Sequence, residues 1–306
     1  MPSKTASATT QPVNPLPPLS PQQVCFVVDD VLAAVQWCEE RFGWGPFYQF
    51  KAPVAEASYR AWRGEKLTEV ALGMAGKVQV EFLHVHLGRD TTGDYQQAYG
   101  TGFQHIGIHC QSRDAALDHL VAVGATVNEL NEYPGIRFAF VDTPTGNGMF
   151  EILQPTEALA ANAGISSSRE SRVDSKTLFD IDRATVVTDD IDEALTFYAR
   201  AFGWVGAKTA TATLAIDGTR TRMRRHIGTA GKLQIELIET DGKGDNPYAA
   251  HLRRGNHGLI HAGGQLNSNV PLTDCLRGEW LETGESFALY DWPGGERALQ
   301  IRRTRA

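Results

Sequence analysis

Apolar and polar positions along the chain group into short units that repeat. Gln22–Val28 is a strand-length run dominated by apolar residues, and it ends at Asp29 and Asp30. Val31, Val35, Cys38 and Phe42 then follow at helical spacing, which predicts an amphipathic helix over 31–42 with Asp30 as its N-cap. Three strand-like segments come next. The pattern restarts at Gln104–Cys110, enters a helix near Asp114 that contains Ala115, Leu117, Leu120 and Val121, and stops at Gly124. Strand segments near 126–132, 136–142 and 149–154 complete it, the last two joined by the turn-rich TPTGNG. The repeating unit is βαβββ.

The two halves of the chain resemble each other. VCFVVDDVLAAVQWCEERFGW (24–44) returns as ATVVTDDIDEALTFYARAFGW (184–204), and GKVQVEFLHV (76–85) returns as GKLQIELIET (231–240). YGTGFQHIGIHC (99–110) lines up with RGNHGLIHAGGQ (254–265), and FAFVDTPTGNGMFEILQ (138–154) with FALYDWPGGERALQIRR (287–303). Four matches in one order imply four βαβββ modules, an α+β fold. Residues 1–20 are rich in Pro, Ser and Thr and read as a disordered tail, and the polar, small-residue stretch 158–176 reads as a linker. The expected domains are therefore 21–157 and 177–306.

Composition narrows the function classes. The 306 residues are 42% hydrophobic, enough to bury substantial cores. Lys and Arg number 29 against 36 Asp and Glu, a net charge of −7 with no basic run suited to a phosphate backbone, which argues against nucleic acid as a partner. No apolar stretch approaches the roughly 20 residues needed to span a bilayer, and the N-terminus lacks a signal-peptide centre. A cytoplasmic protein with no membrane partner is expected. Cys25, Cys38, Cys110 and Cys275 are scattered, without a C-x-x-C pair that would indicate a disulfide framework or zinc knuckle.

FGWGPF (42–47), VQVEFL (78–83), QHIGIHC (104–110) and DTPTGNGMFEIL (142–153), set in paired βαβββ units, resemble the vicinal oxygen chelate superfamily. That superfamily includes glyoxalase I, methylmalonyl-CoA epimerase, extradiol dioxygenases and the bleomycin-resistance proteins. The likeness runs from Gln22 to Arg303 apart from the linker. It implies modules pairing into two cup-shaped domains, with metal ligands on the first and last strands of each module. Carried over, these positions are Gln23, Glu81, His105 and Glu151 in the first half and Arg183, Glu236, His261 and Gln300 in the second. The first set resembles a complete site for one divalent ion, among Zn, Ni, Co, Mn and Fe. The second places a cation at a ligand position and reads as degenerate.

Strand alternation supports the first set independently, because residues two apart share a face. Val78, Val80 and Phe82 oppose Gln79 and Glu81, while Phe150 and Ile152 oppose Glu151. A carboxylate facing an apolar cup is costly without a partner, and a divalent cation is the obvious one. His109, at i+4 from His105, shares its face and is a candidate substrate contact. His84 should point away from Glu81, and RTRMRR (220–225) is most simply a solvated strand face.

The implied chemistry is proton transfer beside a metal-chelated carbonyl, by an isomerase, epimerase or lyase of glyoxalase type. The substrate would be a small hydroxy-carbonyl, 2-keto or acyl-thioester compound, with Glu151 as leading base and Glu81 as ligand and second acid/base. Two alternatives stand beside it. Extradiol ring cleavage would require a His at both first-strand positions, where this chain has Gln23. A non-catalytic binder of drugs or aromatic compounds would use the cups without metal. If modules 1 and 2 close one cup, Gln23, Glu81, His105 and Glu151 converge; if modules 1 and 4 pair, they do not. The second half would stand in for the partner subunit of single-domain relatives, and a further homodimer remains open.

Overall fold

The computed structural model describes residues 19–133, 135–144, 146, 148–155, 179–255, 258–266, 275–291 and 298–303. The tail before residue 19 and the linker region 156–178 lie outside them. Sixteen described strands form two closed barrels, each preceded and covered by helices on the outside.

The first barrel contains β1 (Pro21–Val27), β2 (Tyr48–Tyr59), β3 (Trp62–Ala75), β4 (Val78–Leu87), β5 (Gly102–His109), β6 (Thr126–Tyr133), β7 (Ile136–Asp142) and β8 (Met149–Pro155). Their order around the barrel is β1-β4-β3-β2-β6-β7-β8-β5, so modules 1 and 2 join where β1 meets β5 and where β2 meets β6. The second barrel repeats this with β9 (Phe179–Thr188), β10 (Ala210–Ile216), β11 (Thr219–Ala230), β12 (Leu233–Glu239), β13 (Gly258–Leu266), β14 (Leu276–Trp280), β15 (Glu285–Tyr290) and β16 (Leu299–Arg303). The pairing of sequential modules, 1 with 2 and 3 with 4, is the one that gathers each half's inward positions into one interior.

The helices form where the acidic caps predicted. In α1 (Val31–Phe42), Asp30 accepts from the Ala33 amide at 2.9 Å, and Gly43, at φ 68°, ends the helix in the left-handed conformation. Asp190 and Gly203 do the same for α4 (Ile191–Phe202). The helix α3 (Arg113–Ala122) is capped by Ser112 and buries Arg113, Ala116 and Leu120, whereas Val121 is exposed. Of the apolar residues expected in this helix, Leu120 is buried and Leu117 packs partly buried on the same core, while Val121 faces solvent. Two helices between modules were not anticipated: α2 (Thr91–Tyr99) and α5 (Pro247–Arg253). The helix expected in module 4 falls on residues outside the described set.

Strand alternation separates two environments. Val24, Phe26, Val78, Val80, Phe82, Ile106, Ile108, Phe150 and Ile152 face outward into a core beneath the helices. That core is continuous between the barrels: Phe150 packs on Phe197, Tyr198 and Phe202, and Trp44 donates from its indole nitrogen to the Phe179 carbonyl at 2.7 Å. Burying each such side chain contributes about 1.5–3 kcal/mol, so the barrels stabilise one another. The other face of each strand points into its barrel.

Candidate metal centre

Three adjacent strands bring the site together. β1 runs between β4 and β5, and Cys25 on β1 is paired in register with Glu81 on one side and His105 on the other. One pleat away, Gln23 is paired with Gln79 and Gly107, and Gly107 is paired in turn with Glu151 on β8. The interior therefore carries two rows of side chains: Glu81, Cys25, His105, and Gln23, Gly107, Glu151. Gly107 has to be glycine, since a Cβ there would lie 2.0 Å from Gln23 Oε1. Its missing side chain is the space through which the Gln23 amide reaches across the strand.

His105, wholly buried, sits at the centre. Its Nε2 lies 3.4 Å from Glu81 Oε2 and 3.3 Å from Glu151 Oε2. These three atoms and Gln23 Oε1 are buried and make no hydrogen bond. Gln23 spends its Nε2 on Gln79 Oε1 at 2.8 Å, leaving the carbonyl oxygen of the amide available. An ion with bonds of about 2.0–2.1 Å holds neighbouring donors about 3.0 Å apart in octahedral geometry and about 3.4 Å apart in tetrahedral geometry. The separations around His105 fall at that spacing, so the residues fit a divalent cation. Among the described residues, Cys25, Glu81 and His105 form a cluster whose donor atoms all lie within 4.8 Å of one another.

The protonation states follow from this crowding. Burial disfavours an imidazolium at His105, but the Glu151 and Glu81 carboxylates beside its Nε2 outweigh it and lift the group to about 9. Burial raises Glu151, and the adjacent Glu81 charge raises it further. Without metal, a proton on His105 is what offsets the two carboxylates.

The tautomer of His105 is set by its neighbour. The β1/β5 register slips between Cys25 paired with His105 and Phe26 paired with Phe103, leaving Gln104 as the extra residue of a bulge. Gln104 is thereby turned inward, where its Oε1 accepts from His105 Nδ1 at 3.0 Å. Thr92 Oγ1 also donates to that oxygen, and Gln104 Nε2 donates to the Thr91 carbonyl. The first turn of α2 thus holds Gln104, and Gln104 keeps the His105 Nε2 lone pair facing the carboxylates. Neither α2 nor the bulge was foreseen from sequence. Cys25 could have been, since it lies two residues from Gln23 on the same strand.

The wall near these donors is apolar. Val70 and Leu83 pack with Cys25, joined by partly buried Phe50, Ala52 and Leu72, and the Phe140 ring meets the His105 ring edge-on at 5.0 Å. Deeper in the barrel, buried Lys66 pairs with Asp90 at 2.5 Å and Glu129 at 3.0 Å, linking β3, β6 and the start of α2. His109 is half-buried on the same strand face as His105, and burial lowers its pKa, with Glu151 and Lys232 close enough to influence it. His84 points away, its Nδ1 at 3.0 Å from the Val28 carbonyl oxygen, and His86 meets Glu69.

In the second barrel the corresponding interior is filled by arginine. Arg225 Nε donates to Glu236 at 2.6 Å, and Arg183 lies 3.5 Å from the same carboxylate. Thr185 Oγ1 donates to its other oxygen at 2.7 Å. Although burial favours the neutral acid, Arg225 and Arg183 outweigh it and hold Glu236 down to about 2. Gln300 donates to the Tyr248 hydroxyl, and the bulge position equivalent to Gln104 is Ile260. This donor set does not fit a cation, which two guanidinium groups would repel. The expectation that RTRMRR forms a solvated face is corrected at Arg225: strand alternation turns it into the barrel, at the place where the first barrel has Val70.

The family model of the Glyoxalase/Bleomycin resistance protein/Dioxygenase superfamily matches residues 22–140. The match covers most of the first barrel and ends before β8. Among solved structures, the chain is similar to a variant of 4-hydroxymandelate synthase from Streptomyces coelicolor, with 13% identity, 95% of each chain covered and a TM-score of 0.57. It is also similar to a xylose isomerase-like TIM barrel/4-hydroxyphenylpyruvate dioxygenase fusion protein, with 13% identity over 96% of this chain and 52% of that one and a TM-score of 0.51. Both likenesses are of fold. No curated protein sequence matches the chain.

Proposed function

We propose that the first barrel is the active site of a divalent-metal-dependent isomerase, epimerase or lyase that moves a proton beside a carbonyl. Gln23, Glu81, His105 and Glu151 would hold the ion. The observation that carries this reading is the pair of buried carboxylate oxygens, Glu81 Oε2 and Glu151 Oε2, at 3.4 and 3.3 Å from His105 Nε2, with the buried Gln23 Oε1 on the neighbouring inward row of the same barrel. When bound, a divalent ion supplies a Lewis acid that stabilises negative charge on chelated substrate oxygens.

The chain's own groups do the rest. Glu151, made more basic by burial and by Glu81, is suited to accept a proton from the carbon next to the carbonyl. Glu81, across His105 from it, can return that proton on the opposite side. The apolar wall of Val70, Leu83, Leu72 and Phe140 excludes water, which strengthens each electrostatic contact and suits a substrate with an aliphatic or aromatic substituent. His109 is placed to meet the substrate's polar end.

Oxygenation, the chemistry in the name of the 4-hydroxyphenylpyruvate dioxygenase fusion protein of like fold, is the competing reading. The iron triad of such oxygenases combines two histidines with one carboxylate, whereas this centre offers one histidine and two carboxylates. A metal-free binder is disfavoured because a single imidazolium at His105 would face two buried carboxylates. Elemental analysis of the purified full chain tests the reading. Metal should be present in the parent and lost from Glu81→Ala and Glu151→Ala; retention in both variants would overturn it, as would oxygen uptake with a catechol or 2-oxo acid in the metal-loaded parent.

A further inference from the structure

Cys25 occupies a place that the four-residue set does not explain. It is completely buried, and its pairings put it between Glu81 and His105 on the same interior face. Its sulfur lies within 4.8 Å of a donor atom on each. Neighbouring donors on one tetrahedral ion, with a sulfur bond of about 2.3 Å and an oxygen or nitrogen bond of about 2.1 Å, stand about 3.6 Å apart, about 1 Å inside that limit. Small adjustments of three side chains therefore bring all three onto one ion. The thiol is close enough to hydrogen-bond the Glu81 carboxylate, whose Oε2 is buried and otherwise meets only His105 Nε2.

The second barrel supplies an internal comparison. Thr185, two residues after Arg183 as Cys25 is two after Gln23, donates its hydroxyl to Glu236 at 2.7 Å. A hydroxyl is thus sufficient to steady the equivalent glutamate. There the carboxylate is neutralised by Arg183 and Arg225, and the position needs no metal-binding atom. The thiol stands in the barrel whose donors lack such partners.

We infer that Cys25 is a direct sulfur ligand of the ion in the first barrel. The centre then has a mixed sulfur, nitrogen and oxygen donor set, which selects a borderline-soft divalent ion such as zinc or cobalt over magnesium or manganese. On ligation the Sγ–H bond breaks, a bond from sulfur to the ion forms and the proton passes to solvent, with no change in oxidation state. The inference rests on the metal-site reading above and goes beyond it by adding a ligand and a preference among ions.

Titration of the metal-free full chain with cobalt(II) tests it. The expected result is a near-ultraviolet sulfur-to-cobalt charge-transfer band that saturates at one equivalent. Cys25→Ser keeps a hydroxyl donor for Glu81, as Thr185 provides for Glu236, but removes the sulfur. It should abolish the band and weaken zinc and cobalt binding by about tenfold or more, a loss at least as large as that from removing an outer-sphere partner, while manganese binding changes little. X-ray absorption of the zinc-loaded parent, which needs no variant, should show a sulfur scatterer at about 2.3 Å. Cobalt binding without the band, or zinc with only oxygen and nitrogen neighbours, would overturn the role of Cys25 and leave the metal site standing. No binding of any divalent ion would overturn the site itself.

Discussion

His105 is where the chemistry of this protein concentrates. Two carboxylates close to one imidazole nitrogen form an unstable arrangement unless something positive lies between them, and a proton or a metal ion can each fill that role. In the metal-free chain the folded-state pKa of His105, about 9, exceeds the ordinary value near 6.5. The folded protein therefore holds this proton more tightly than the unfolded chain. The resulting stabilisation is fully present below about pH 6.5 and is lost as the pH rises through about 9. Glu151, also raised, acts in the same direction at lower pH. Urea midpoints of chelator-treated protein should accordingly fall across this window, the decline should vanish in His105→Gln, and bound zinc should suppress it. A flat profile in the metal-free parent would contradict the charge balance described here. At this scale much was legible: Glu81 and Glu151 stand at positions that strand alternation and family resemblance both mark, and Gln23 and His105 at positions that the resemblance marks. Cys25 was equally legible by alternation, but a lone cysteine in an apolar strand looks like core until its cross-strand neighbours are known.

At the level of elements, a bulge and a short helix decide how the histidine is held. A regular β5 would turn Gln104 outward into the core under the helices; the extra residue turns it inward beside His105, where Thr91 and Thr92 of α2 anchor it. Gln104→Leu should lower metal affinity about 10- to 100-fold by releasing the His105 tautomer, while Gln104→Glu, which keeps an acceptor at that place, should recover most of it. Equal affinities in all three proteins, measured by competition with a chromophoric chelator, would show that the hydrogen bond does not orient the ring. The predicted elements α1, α3 and α4 and the strands of modules 1 and 2 formed at the expected places, because caps and alternation are local signals. The helix α2 was missed: its TTGDYQQAY sequence buries only Thr91 and Thr92, so no apolar stripe announces it. The bulge was missed because register belongs to a pair of strands, and one strand's sequence does not contain it.

For the whole molecule, the repeat produces two barrels of one fold and two different interiors. The second interior exchanges Gln23 for Arg183 and Val70 for Arg225, and the guanidinium groups occupy the carboxylate that the first barrel leaves unbonded. One metal equivalent per chain is the expected stoichiometry, with Glu236→Ala leaving it unchanged; two equivalents in the parent would show that the second barrel also binds. The shared core around Phe150, Phe197, Tyr198 and Trp44 makes the second barrel a structural partner of the first, covering surface that would otherwise meet water.

The repeating strands, the helices α1, α3 and α4, and the inward facing of Glu81 and Glu151 were determined by the sequence alone, because hydrophobic period and capping chemistry are properties of neighbouring residues; Gln23 and His105 were marked only by the resemblance to a family. Tertiary structure alone decided that module 1 closes with module 2, that Cys25 lies between Glu81 and His105, that Gln104 turns inward to hold an imidazole, and that Arg225 enters the second barrel to meet Glu236. Each of these depends on which strands pair and in what register, a choice made by the burial of whole faces at once and therefore unavailable to any single segment of the chain.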